Sequence, residues 1–132
     1  MYSLSKIYPS VKDFDTDKLR CWLELNLSTV KQNVKKIQSL ISDKMELMTV
    51  VKANCYGIGS INISNYLESI GIKYFAVTTL QEAINLRTIG KIKGEILLFG
   101  WTPISEKETL IKYNLTQILV VFEYAKKLDE LP

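Results

Sequence analysis

Histidine is absent from this sequence of 132 residues, and cysteine occurs only twice, as Cys21 and Cys55. Without histidine, imidazole-based acid–base catalysis and the Ser-His and Cys-His nucleophile pairs are excluded. Two isolated cysteines without histidine give no basis for a zinc site, so no metal site is predicted. Any proton transfer must therefore use lysine, tyrosine, cysteine or a carboxylate, and both thiols are predicted to be free.

Long apolar runs and basic clusters are also missing. No run approaches the roughly 18 residues of a membrane span, and residues 1–20 lack the apolar middle of a signal peptide. The net charge is only +3, from 17 basic and 14 acidic residues, and the basic residues are scattered. We therefore expect neither a membrane span nor a nucleic-acid partner, and we predict a protein of the reducing cytoplasm.

The composition, with 47% apolar and 23% charged residues, is that of one globular domain. Residues 1–19 show no periodicity and include Pro9 and an acidic stretch at 13–17, so they are predicted to form a leader or linker. Residues 20–132 are predicted to form the domain itself.

Strand and helix patterns alternate along this domain. The strand patterns begin at residues 22, 47, 74, 95 and 117. The first, at 22–27, alternates in polarity and is followed by Ser28 as the expected N-cap of a helix, and the last covers residues 117–122. Thr79 and Glu82 fit a capping box. Repeated βα units predict an α/β fold with right-handed crossovers and a parallel sheet.

Two α/β architectures fit this order of elements. One is an open doubly wound sheet, which would be complete within the chain. The other is roughly the first half of a (β/α)8 barrel of TIM type, since a closed barrel usually needs roughly 200 residues or more. Periodicity alone does not choose between them.

The chemistry is concentrated in VVKANCYGIG, residues 50–59. Lys52 follows a short apolar strand, at the carboxyl end where parallel sheets and barrels carry their sites. Burial disfavours an ammonium, and a neutral amine can attack an aldehyde to form a Schiff base. The plainer alternative is a solvated lysine next to a loop that happens to contain two glycines, because both features are common.

The neighbours of Lys52 suit a flat aromatic ligand. Strand alternation puts Met48 and Val50 on the same face as the lysine, where they form an apolar floor. Tyr56 adds a ring with a polar tip, and Gly57 allows close approach of the backbone. Cys55, in contrast, is predicted to pack as a small apolar residue and not to act as a nucleophile.

Four segments in order resemble the alanine racemase family. The segment at 50–59 is similar to that family's pyridoxal-phosphate motif, VVKANAYGHG. The segment WLELNL at 22–27 resembles the opening strand, TLQEA at 79–83 the third βα junction, and ILLFG at 96–100 the fourth. The related serine racemases of glycopeptide resistance carry a similar domain, so alanine and serine remain alternative substrates.

The resemblance implies a partial (β/α)8 barrel from a pyridoxal-phosphate-dependent isomerase that produces D-amino acids, in a cell-wall context. Lys52 would hold the cofactor as an internal aldimine and serve as one of two bases at the α-carbon of a small amino acid. Tyr56 would lie near the cofactor phosphate, and Val50 would line the cofactor site.

Two departures from the family pattern limit this expectation. Ile58 stands where the family usually has histidine. The chain also ends at Pro132, whereas the family's opposing catalytic tyrosine comes from later segments. We therefore expect a portion that is inactive or very weak alone and that self-associates or depends on a second chain. The alternatives are a non-catalytic cofactor-binding module and a truncated remnant.

Overall fold

A computed structural model describes residues 20–21 and 23–130; the predicted leader, 1–19, and Trp22 lie outside them. The helices are α1 (Leu27–Gln38), α2 (Ser60–Ser69), α3 (Leu80–Thr88), α4 (Lys107–Lys112) and α5 (Phe122–Asp129). The strands are β1 (Met48–Val50), β2 (Tyr74–Val77), β3 (Glu95–Leu98) and β4 (Thr116–Gln117). Short segments of 3-10 type lie at Ala53–Gly57 and Ile104–Glu106. Within this part of the chain, no helix is long and apolar enough to cross a membrane.

The four strands form one parallel sheet in the order β1-β2-β3-β4. Val50 is paired with Ala76, Ala76 with Leu97, and Leu97 with Thr116. The order follows the chain without a reversal, so right-handed crossovers carry successive helices to the same face. A doubly wound sheet needs a reversal of strand order. The prediction of a partial barrel is therefore confirmed, and the doubly wound alternative is wrong.

The two faces of the sheet differ in burial. On one face, the side chains that alternate along β2 and β3 are fully buried under the helices: Phe75, Val77, Ile96 and Leu98. They share a core with Val34 of α1, Leu67 of α2 and Leu86 of α3. The opposite face carries exposed apolar side chains, including Met48 and Val50 of β1 and Phe99 after β3. We call this the open face.

The first predicted strand, at 22–27, is not present in the described part of that segment. Residues 23–26 belong to no strand, and α1 already begins at Leu27. Asn26, not Ser28, is the N-cap: its side-chain oxygen accepts a hydrogen bond from the amide of Thr29 at 3.1 Å. An alternating segment is a strand only where it is hydrogen-bonded to a neighbouring strand, and residues 23–26 do not pair with β1, the outermost strand of the described sheet.

The predicted last strand is much shorter than expected. Pairing with β3 covers only Thr116 and Gln117, and Phe122 already belongs to α5. Because β4 lies at the edge of the described sheet, the apolar residues that follow it have no second strand to pair with. A 3-10 turn precedes α4, and Glu106 is the N-cap of this helix.

Candidate active site

Lys52 lies directly after β1, at the carboxyl end of the sheet and on the open face. The preceding residue, Val51, is 2% exposed and belongs to the core, whereas Val50 is 52% exposed. The amide of Val51 donates to the carbonyl of Ala76 at 2.8 Å, which fixes the end of β1 against β2. The alternation that follows places Lys52 on the same face as Val50, and its side chain is half-buried.

The backbone after Lys52 makes a left-handed turn. Ala53, Asn54, Cys55 and Tyr56 have φ values of 51°, 51°, 49° and 53°. This conformation costs most L-residues roughly 1–2 kcal/mol each, and asparagine tolerates it best. The sequence predicted a loop containing two glycines and not this turn, because among its four residues Asn54 alone favours a left-handed backbone.

Hydrogen bonds at both ends hold this turn. The amide of Cys55 donates to the carbonyl of Lys52 at 3.0 Å, and the amide of Gly59 donates to the carbonyl of Asn54 at 3.0 Å. The side-chain oxygen of Asn54 accepts from the amide of Ser60 at 2.9 Å, at the start of α2. The turn is therefore joined to the helix that follows it.

The turn, the edge of β1 and the inner sides of α1 and α2 border a mostly apolar cavity of about 510 Å³. Its lining brings together the three residues predicted as the site, Lys52, Val50 and Tyr56. Ile58 also lines it, so this position presents an aliphatic wall. Tyr56 is 86% exposed, so most of this side chain lies in contact with solvent.

Glu82 of α3 reaches across to the turn. One carboxylate oxygen, Oε1, accepts from the amide of Ala53 at 2.6 Å, while Oε2 accepts from the amides of Thr78 and Thr79, each at 3.0 Å. Partial burial acts to raise the pKa of this carboxyl, but the bonds from Thr79, Ala53 and Thr78 lower it below its usual value. The predicted capping box with Thr79 is confirmed, but its spacing gave no sign of the link to Ala53.

Cys55 is a packing residue within the turn. It lies against the core, and its sulfur contacts the carbonyl oxygen of Val51 at 3.6 Å. Burial, together with the charge of Glu82, raises the pKa of the Cys55 thiol. A raised pKa leaves less of the nucleophilic thiolate, which agrees with the packing role predicted for this cysteine.

Trp101 packs away from the lysine. Its ring lies 6.4 Å, centre to centre, from the ring of Tyr124 in α5, and it does not line the cavity beside Lys52. This contact indicates that Trp101 packs against α5.

A larger cavity, of about 970 Å³, lies at the opposite end of the sheet. It is bordered by Glu68, Lys73 and Lys93, at the amino ends of β2 and β3. Glu68 Oε1 accepts from the amides of Lys93 and Gly94 at 2.8 and 2.7 Å, so this carboxylate closes the loop before β3. The amino end of a parallel barrel carries stability and not chemistry. No group of three potential metal ligands occurs in residues 20–21 and 23–130.

Comparison with known proteins relates most of the chain to racemases. A family described as "Alanine racemase, N-terminal domain" matches residues 25–132. An amino-acid racemase of Enterococcus faecalis is 41% identical over 127 residues, which are 96% of this chain and 18% of that protein. Alanine racemase 1 of Caldanaerobacter subterraneus subsp. tengcongensis is 35% identical over 82% of this chain and 28% of its own length.

Solved structures give the same relation. The structure of alanine racemase from Clostridium difficile 630 superposes with a TM-score of 0.78 and 32% identity, over 86% of this chain and 30% of that one. The chain therefore spans less than a third of the length of each of these three proteins.

Proposed function

The chain belongs to the alanine racemase family, whose N-terminal domain it matches, and on that premise we propose that it forms the lysine-bearing part of a pyridoxal-phosphate-dependent amino-acid racemase. The observation that carries the proposal is the position of Lys52, half-buried at the carboxyl end of β1, beside the cavity that Val50 and Tyr56 also line. Residues 20–132 would form this part, with 1–19 as a leader.

The residues around the cavity fit pyridoxal phosphate. Lys52 supplies a primary amine, the only kind of side chain that condenses readily with an aldehyde. Val50, Met48 and Ile58 give apolar walls for a pyridine ring, and the exposed hydroxyl of Tyr56 can donate to a phosphate oxygen. When bound, the cofactor supplies an electron sink for the α-carbon of an amino acid.

In this proposal the chain's own residues bind, orient and move a proton. Lys52 Nζ takes or returns the α-proton on one side of the substrate, while Val50 and Ile58 keep water from the reacting side. Inversion also needs a proton from the opposite side, and we propose that other protein covering the open face delivers it. Alanine and serine remain alternative substrates; a cell-wall role and a cytoplasmic location stay predictions.

Borohydride trapping tests the proposal. The protein is incubated with pyridoxal phosphate, reduced with borohydride and digested, and the pyridoxyl-bearing peptide is located by mass spectrometry. We expect the label on Lys52, because this amine lies beside an apolar cavity while lysines such as Lys73 are solvated. A folded protein that takes its label at random, or takes none, would contradict the proposal.

Racemisation of L-alanine and L-serine, followed by chiral chromatography, then distinguishes a racemase from a non-catalytic cofactor-binding module. Activity with either amino acid identifies a racemase and its substrate. A protein labelled at Lys52 that racemises neither, even when mixed with the remainder of a related racemase, is the non-catalytic module.

We also propose that the open face and the sheet edge at β4 are covered by further protein, either a second copy or another chain. Leu119, Val120 and Val121 follow β4 as an exposed apolar run, and an uncovered apolar edge favours association. We therefore expect the 132-residue chain to sediment as oligomers, and Val120→Lys to shift it towards monomer. Ile111→Lys, at an exposed position of α4, is the matched control; a monomeric wild-type chain that unfolds cooperatively would contradict this.

A further inference from the structure

The left-handed turn after Lys52 needs support from outside itself. Four successive non-glycine residues in this conformation persist only where the surrounding structure holds them. The bonds at Cys55, Gly59 and Ser60 join the turn to itself and to α2. The amide of Ala53, which is the first left-handed residue, instead donates to a side chain of the next βα unit, Glu82.

We propose that Glu82 is a positioning residue for Lys52, holding the turn through the amide of Ala53 and so fixing the direction in which the lysine leaves β1. The inference deepens the proposed function and rests on it for the identity of the ligand that Lys52 takes. Glu82 itself need not touch that ligand.

The division of labour between the two carboxylate oxygens supports this role. A capping box requires only one oxygen of the glutamate at N3, to accept from the amide of the N-cap residue. Oε2 does this for Thr79 and also accepts from Thr78, at 3.0 Å in both cases. Oε1 is left for Ala53, at 2.6 Å, the short distance of a charge-assisted bond. Oε1 therefore holds the turn, whereas Oε2 caps the helix.

The position of Ala53 explains why the effect reaches the lysine. Ala53 follows Lys52 directly, and the Lys52 carbonyl accepts from Cys55 inside the same turn. Upstream, Val51 is fixed to Ala76 of β2. Lys52 is therefore the residue between two anchored neighbours, one held by the sheet and the other by Glu82. Loss of the second anchor allows the turn to relax and the amine to leave the cavity wall.

Glu82→Gln and Thr79→Ala separate positioning from capping. Glutamine has the same shape but only one acceptor oxygen. Its NH2 group therefore faces a backbone N–H donor, either at Ala53 or at Thr78 and Thr79, and the hydrogen bond there is lost. Thr79→Ala removes the hydroxyl that accepts from the Glu82 amide at 3.2 Å and leaves the carboxylate intact. If Glu82→Gln fails to fold, Glu82→Asp replaces it: the shorter side chain keeps a carboxylate at the start of α3 but withdraws it from Ala53.

Two readouts do not require the cofactor. Hydrogen exchange of the Ala53 amide should accelerate about tenfold or more in Glu82→Gln, the scale of one charged hydrogen bond, and change less than twofold in Thr79→Ala. The pH profile of reductive methylation of Lys52 by formaldehyde should shift in Glu82→Gln only. With pyridoxal phosphate, incorporation at Lys52 should fall about tenfold in Glu82→Gln and remain near wild type in Thr79→Ala.

The outcomes are distinct. If both variants behave alike, or if Ala53 stays protected and the Lys52 profile is unchanged in Glu82→Gln, then Glu82 is only a helix cap and the inference is wrong. If wild-type protein takes no pyridoxyl label but Ala53 exchange and Lys52 methylation still depend on Glu82, then the proposed function fails while the positioning role stands.

Discussion

Replacing Arg87 with methionine is expected to lower the free energy of unfolding by about 3–4 kcal/mol. The guanidinium donates to four backbone carbonyls. Nε bonds to Tyr113 at 2.9 Å, Nη2 to Asn114 at 2.8 Å, and Nη1 to Ile92 and Gly94 at 2.8 and 2.6 Å. One side chain of α3 therefore joins the loop before β3 to the turn before β4.

Burial makes these contacts costly to lose. It lowers the pKa of the Arg87 guanidinium, an effect that the charges of Glu95 and Glu68 oppose, and the group remains ionised. A hydrogen bond to a charged group contributes about 1.5–3 kcal/mol, and such bonds around one group are not additive. Methionine keeps the aliphatic packing but leaves several partly buried carbonyls without a donor.

Urea unfolding at fixed protein concentration measures the effect. Arg87→Lys should lose about 2 kcal/mol, because an ammonium keeps the charge but not the planar fork that reaches carbonyls on two sides. Arg20→Lys, at an exposed arginine, should change stability by less than about 0.5 kcal/mol. If Arg87→Met lowers the free energy of unfolding by less than about 1 kcal/mol, the carbonyls are hydrated in the variant. The four hydrogen bonds of Arg87 are then not a major source of stability.

Some of this fold was predictable because local rules determine it. The capping box at Thr79 and Glu82 forms as its spacing requires, and the alternating strand and helix patterns give the parallel sheet. Lys52 lies after an apolar strand as its sequence context predicted, and it lines a cavity with Val50 and Tyr56, but the role of these residues stays a prediction. The capping box and the period of each strand and helix are properties of short segments of the chain.

The features that were missed depend on contacts distant in sequence. Residues 23–26 carry a strand pattern, but pairing decides whether a strand forms, and no local rule reports that. Arg87 donates to Asn114, and Glu82 accepts from Ala53. Both contacts join residues far apart in the sequence, and periodicity predicts only contacts within a segment. A left-handed turn built from Ala53 and its neighbours has no compositional signal beyond one asparagine and the glycines after it.

Replacing Lys52 with arginine is expected to reduce pyridoxyl incorporation at this position to background and any racemisation by roughly 10²–10⁴-fold, the usual contribution of a positioned acid or base. Arginine keeps a positive charge on an aliphatic stem and is slightly longer than lysine. Its guanidinium is ionised at every accessible pH and cannot attack an aldehyde or accept an α-proton.

The matched control is Lys73→Arg. Lys73 precedes β2 at the opposite end of the sheet, where its amine lies 3.7 Å from Glu46 and its side chain is solvated. This substitution should leave borohydride trapping and racemisation at wild-type levels. Circular dichroism of both variants should match wild type, because the half-buried Lys52 side chain borders an open cavity that arginine can occupy without displacing the core.

The pair of variants separates site chemistry from general lysine reactivity. Non-specific adduct formation is shared among many exposed amines, so a single conservative change would remove only a small part of the total label. If Lys52 is a specific site, Lys52→Arg alone removes nearly all of the pyridoxyl label that forms in the presence of a competing small amine. Retention of that label in Lys52→Arg, with loss in Lys73→Arg, would move the reactive amine to the amino end of the sheet and overturn the assignment.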